Sequence, residues 1–153
     1  MIVKKGIIAL AILACIAAIF TMPVMAAVPV SNTNYSGDNG GYVIKPANSA
    51  GAFGILTISG SVTQGQTNWH YKTVSGYMTT LNVDLSWGNP SNSLQLTIYS
   101  PDNHVFGPYY DRDDGAVDGK INLDIYNANG IATGTWTYKV YGYSVSGAQS
   151  YTI

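Results

Sequence analysis

The densest grouping of side chains that could do chemistry is Asp111-Arg112-Asp113-Asp114-Gly115-Ala116-Val117-Asp118-Gly119. Asp111, Asp113, Asp114 and Asp118 put four carboxylates, with two glycines, into nine residues. Oxygen-rich loops of this kind suit Ca²⁺, a hard cation that takes several oxygen ligands at flexible geometry. The spacing departs from the helix–loop–helix calcium template, because a glycine falls at the fifth position and no Glu closes the loop. The alternative for the same residues is a solvated acidic hairpin whose Asp-Gly steps supply the turns. Tyr109 and Tyr110 directly precede this loop and are candidate ligand-binding rings. With Tyr99, Tyr141 and Tyr143, expected on or near outward strand faces, they could form a platform for a sugar or peptide. Tyrosine also suits strands simply by bridging core and water.

Catalytic arrangements are sparse. The chain has no Glu, and its one cysteine, Cys15, lies in the N-terminal apolar stretch. No Gly-x-Ser-x-Gly elbow, HExxH pair or phosphate loop is present. His70 sits among aromatic residues, and His104 lies beside Asp102 in a turn, a spacing that suits a local hydrogen bond. Two histidines without a cysteine partner argue against zinc. The expectation is a non-enzyme.

The elements that must position these groups are strands. Leu81, Val83, Leu85 and Trp87 alternate with Thr80, Asn82, Asp84 and Ser86, and Leu94, Leu96 and Ile98 with Gln95, Thr97 and Tyr99. Ile121, Leu123 and Ile125 alternate with Asn122 and Asp124, as do Trp136, Tyr138 and Val140 with Thr137, Lys139 and Tyr141. Period-two patterning means antiparallel strands with one face buried and one wet. Shorter strands are predicted at Leu56–Ser59, Trp69–Val74, His104–Tyr110 and Gln149–Ile153, with the inward face of the second ambiguous. Strands at 8–12-residue spacing indicate an all-β, jelly-roll-like antiparallel β-sandwich of about eight strands. It is expected to span residues 53–153. A flexible Asn-, Ser- and Gly-rich leader precedes it at 28–52, holding one short strand at Tyr42–Lys45.

Met1–Ala27 reads as a secretory signal peptide: Lys4 and Lys5, an apolar run from Gly6 to Phe20, Pro23, and small residues at Ala26 and Ala27. The alternative is an uncleaved membrane anchor, since the run is long enough to span a bilayer. Removing it leaves five basic residues against eight aspartates, a formal charge of −3, and no cysteine. That balance excludes nucleic acid as a partner, because nucleic acid demands a basic surface. An exported domain without disulfides must rely on its core. The expected location is secreted or at the cell surface.

Gly60–Val74, then Thr79–Gly88, Ser91–Asp102 and Gly134–Ile153, resemble in order the bacterial and archaeal pre-peptidase C-terminal domain. The strand Gly134-Thr135-Trp136-Thr137-Tyr138-Lys139-Val140-Tyr141 and the closing Tyr151-Thr152-Ile153 carry the resemblance best. It implies a small β-sandwich accessory module of exported proteins, acting by contacts with an exported protein or a cell-envelope component. Some members of that family bind calcium, but acids of the family pattern are replaced here at Asn68-Trp69-His70 and Ser93-Leu94-Gln95-Leu96. A second expectation, of a different class, is a carbohydrate-binding module with a tyrosine platform and structural calcium, for which the partner is a polysaccharide.

Overall fold

The computed structural model describes residues 39–47 and 57–153. The expected signal segment and most of the leader lie outside them. Nine strands are present among the described residues. They are β1 (Tyr42–Pro46), β2 (Ser59–Thr63), β3 (Thr67–Val74), β4 (Thr80–Ser86), β5 (Ser93–Tyr99), β6 (Val105–Tyr109), β7 (Lys120–Asn127), β8 (Gly134–Ser144) and β9 (Ala148–Thr152). They make a five-stranded sheet in the order β1-β7-β4-β9-β2 and a four-stranded sheet in the order β3-β8-β5-β6. Every pairing is antiparallel. The architecture is the β-sandwich that the alternating runs predict.

The core lies between the sheets. Leu81, Val83, Leu85, Ile121, Leu123 and Ile125 face it from one sheet, and Leu94, Leu96, Ile98, Trp136, Tyr138 and Val140 from the other. Burying each such side chain contributes about 1.5–3 kcal/mol. Gly142 ends the inward row of β8, because Thr63, at the turn that carries the chain from β2 to β3 in the other sheet, crosses there so closely that a Cβ would collide with its backbone. Gly65 donates to the Gly142 carbonyl, and Gly142 to that of Gln66, which locks the crossover.

The sandwich begins earlier than residue 53. β1 pairs along β7 from Tyr42↔Asn127 to Pro46↔Leu123. The Tyr42 ring packs edge-on against Phe106 and Trp136, with centroids 5.3 and 5.9 Å away. Its hydroxyl donates to Asp102 at 2.9 Å and accepts from the Ala132 N–H. Long-range packing therefore recruits a strand from a stretch whose composition reads as leader. The first strand after it is Ser59–Thr63 rather than Leu56–Ser59, with Val62 buried. Leu56 lies outside the described residues.

Candidate functional site

The acidic segment forms the crossover from β6 in one sheet to β7 in the other and opens with a 3₁₀ turn at Asp111–Asp114. Asp111 is buried, 6% exposed. One of its oxygens accepts from the Asp118, Gly119 and Lys120 N–H groups at 3.1–3.2 Å, and the other accepts from Gly119. Asp114 accepts from Asn122 at 2.8 Å and from Ala116 at 3.3 Å. Burial raises its carboxyl above the usual range, opposed by those two donors and aided by the charges of Asp118 and Asp111. Asp113 accepts from the Tyr110 N–H at 2.8 Å, and Asp118 is exposed. Three of the four predicted calcium ligands thus tie the loop to itself and to β7. Among the described residues no cluster of three or more His, Cys, Asp or Glu side chains is arranged to share a metal ion.

The two histidines serve packing. His104 stacks on Phe106 and meets the edge of Tyr42, with Nδ1 3.3 Å from Asp102. Gly40, at φ +58°, lies flat against its ring where a Cβ would collide. Burial works to raise the Asp102 carboxyl, but hydrogen bonds from Ser100, Tyr42 and His104 together hold it below the usual range. On the far edge of the sandwich His70 Nε2 lies 2.7 Å from the Tyr151 hydroxyl, which also accepts from Asn68 Nδ2 at 3.0 Å. These contacts join β3 to β9 across the open rim. Burial lowers the His70 pKa and raises that of Tyr151, whose shift Asn68 partly offsets.

A different surface stands out. The side of the four-stranded sheet turned away from the core is rich in rings. β3 presents Trp69 and Tyr71, 47% and 62% exposed. Register then sets three rows across the sheet. Tyr71, Thr137 and Tyr99 form the first, with Val105 beyond; Trp69, Lys139 and Thr97 the second; Thr67, Tyr141 and Gln95 the third. The Trp69 ring leans over to Tyr99, 5.8 Å between centroids, and Lys139 Nζ stands 6.0 Å from the Trp69 centroid. At the end of the face Tyr110 meets the exposed Tyr143 edge-on at 5.0 Å, and its hydroxyl accepts from Gln95 Nε2 at 2.7 Å. Among the described residues, every aspartate lies off these outward positions, which carry one charged group, Lys139.

The predicted tyrosine pair is split. Tyr110 joins this face, whereas Tyr109 packs against the core. A register shift between Leu96 and Ile98 sets Tyr109 opposite Leu96 and changes which side of the strand turns inward. Tyr99, Tyr141 and Tyr143 stand where alternation puts them. Trp69 and Tyr71 were legible only as members of a strand of undecided face. Their signal was pairing: both lie opposite Lys139 and Thr137, the polar row of β8.

No family model matches the chain. A protein of Archaeoglobus fulgidus described only as uncharacterized is 45% identical to it over 56 residues, which cover 37% of this chain and 78% of the archaeal one.

Proposed function

The chain belongs to one family with that archaeal protein, and we propose that it is a non-catalytic exported module that makes protein or cell-envelope contacts through the outer face of its four-stranded sheet. The observation that carries this reading is the exposure of Trp69 and Tyr71 on a rigid sheet. Large rings left in water forgo the stabilisation that burial would give them, and contiguous exposed apolar patches mark interaction sites. Aromatic side chains also dominate binding energy at recognition surfaces. Export is supported by Lys4 and Lys5 before the apolar run Gly6–Phe20, with Pro23, Ala26 and Ala27 after it. An accessory role accords with the resemblance to the pre-peptidase C-terminal domain. The histidines and buried carboxylates are engaged in packing and loop closure, which accords with a module that holds rather than converts its partner.

Fractionation of producing cells tests both halves. The chain is expected in the envelope or medium, with an N-terminus near Ala27 by mass spectrometry. The purified chain is expected to sediment with isolated envelopes, and Trp69→Ala/Tyr71→Ala to weaken that association. Recovery in the cytosol, or sedimentation indifferent to the double substitution, would overturn the reading.

A further inference from the structure

We propose that the outer face of the four-stranded sheet binds a linear, neutral polysaccharide, its sugar rings laid on Trp69, Tyr71 and Tyr99 and its hydroxyls held by Thr97, Thr137 and Gln95. The inference deepens the recognition reading above and rests on it.

Ring chemistry comes first. The face of an aromatic ring is electron-rich. A pyranose offers it a flat set of weakly positive C–H groups, with hydroxyls projecting around the rim. A surface suited to that ligand alternates rings with short neutral hydrogen-bonding side chains. The registered rows do so: Tyr71, Thr137, Tyr99 in one, Trp69, Lys139, Thr97 in the next, and Tyr141 beside Gln95 in the third. Tyrosine hydroxyls and the indole N–H add polar edges to the rings themselves.

Charge decides the ligand class further. Asp84 and Asp124 lie on the outer face of the other sheet, Asp102 in the β5–β6 turn, and Asp111, Asp113, Asp114 and Asp118 in the crossover loop. The chain as a whole is formally −1. A polyanion or an anionic lipid surface is repelled by the whole, and a polycation is drawn to the acidic surfaces instead. The aromatic face, with its single ammonium, complements an uncharged, hydroxyl-rich chain.

Size and shape favour this ligand over the commoner alternatives. Strand spacing and rise give the plane between β3 and β6, over Thr67–Thr73, an area of roughly 300 Å². Even doubled for the relief of the rings, that falls below the ~800 Å² per partner of a standard protein interface. It is also an open sheet face, whereas sites for small molecules are concave and enclose most of the ligand. An extended polymer needs no enclosure, because successive units rest on successive rings and each contact raises the effective concentration of the next.

Affinity electrophoresis of the purified full chain through gels containing laminarin, hydroxyethylcellulose or mannan tests the proposal. Retardation by at least one of them is expected, weakened by about thirtyfold in Trp69→Ala/Tyr71→Ala. Asn82→Ala, on the opposite face, is the control and should migrate as the parent. Circular dichroism melting of each variant separates lost binding from lost folding; should the double variant unfold, Trp69→Leu and Tyr99→Leu are run singly. No retardation by any of the three polymers, or retardation unchanged by the ring substitutions, overturns the proposal. So does light scattering that shows a dimer dissolved by those substitutions, since the face would then belong to a second copy. Envelopes treated with periodate separate this inference from the broader one. Trp69-dependent sedimentation that survives the treatment keeps the recognition module and ends the polysaccharide; no sedimentation before or after ends both.

Discussion

The outer faces of the two sheets obey the same alternation and carry opposite chemistry. On the five-stranded sheet the outward residues at the middle of β4 and β7 are amides and charges that bind one another, and the one ring, Tyr126, lies under the Lys45 ammonium. Asn82 Nδ2 donates to Asn122 at 2.9 Å and to Asp124 at 3.0 Å, and Lys120 pairs with Asp84 at 3.1 Å. On the four-stranded sheet the outward residues of β3, β5 and β8 include five rings, and Trp69 and Tyr71 are half and more exposed. Neither face is required by the core. Outward positions therefore register what the surface is for. A face whose polar groups bond across its strands ties those strands together, whereas a face of solvated rings leaves hydrophobic energy unused until something covers it.

That contrast can be broken at its support. Asp111 holds the crossover between the sheets through three backbone N–H groups. Asp111→Ala should cost about 3 kcal/mol, read as a lower urea midpoint, because buried donors lose a charged acceptor. The loss should strike both faces alike. Millimolar calcium should leave the melting temperature of the parent chain unchanged, since those carboxylates already have partners.

Smaller changes sharpen the difference between the faces. Asn82→Ala should cost about 1–2 kcal/mol by denaturant titration and leave envelope sedimentation intact. Trp69→Ala should do the reverse, shifting stability by about 0.5 kcal/mol or less while sedimentation falls. Inside the sandwich the Tyr138 hydroxyl is buried and has no hydrogen-bond partner among the described residues. Tyr138→Phe should stabilise the chain by about 1 kcal/mol without touching either face.

The smallest effect is on pH dependence. Burial holds the His70 pKa below its ordinary 6.5 in the folded chain, so the unfolded chain takes the proton first. Stability from this group is complete above pH ~6.5 and declines as pH falls toward the folded value. His70→Gln should flatten the urea midpoint between pH 7 and pH 5, a window above the ordinary carboxylate range.

Sequence legibility follows strand position. β4, β5, β7 and β8 lie inside their sheets, their inward residues are apolar apart from Asn127 at the end of β7, and alternation alone places them. β3 is an edge strand whose inward side reaches an open rim, so His70 and Lys72 sit there and the two rows look equally polar. Its outward rings were therefore hidden. β1 is held by what Tyr42 meets from residues 102, 106, 132 and 136, none of them near in sequence. In the acidic loop the oxygens could be counted from the sequence, but not the N–H groups that occupy them. Tyr109 and Tyr110 look equivalent in the sequence because one register irregularity carries no composition signal.

Tryptophan fluorescence gives the most direct test of the aromatic face. Trp87 and Trp136 are buried, at 7% and 0% exposure, so iodide quenching of the native chain reads Trp69. Isolated envelopes should shield that emission from iodide, and Trp69→Phe should abolish the shielding. A chain that sediments with envelopes while Trp69 stays as quenchable as in free solution would contradict the account.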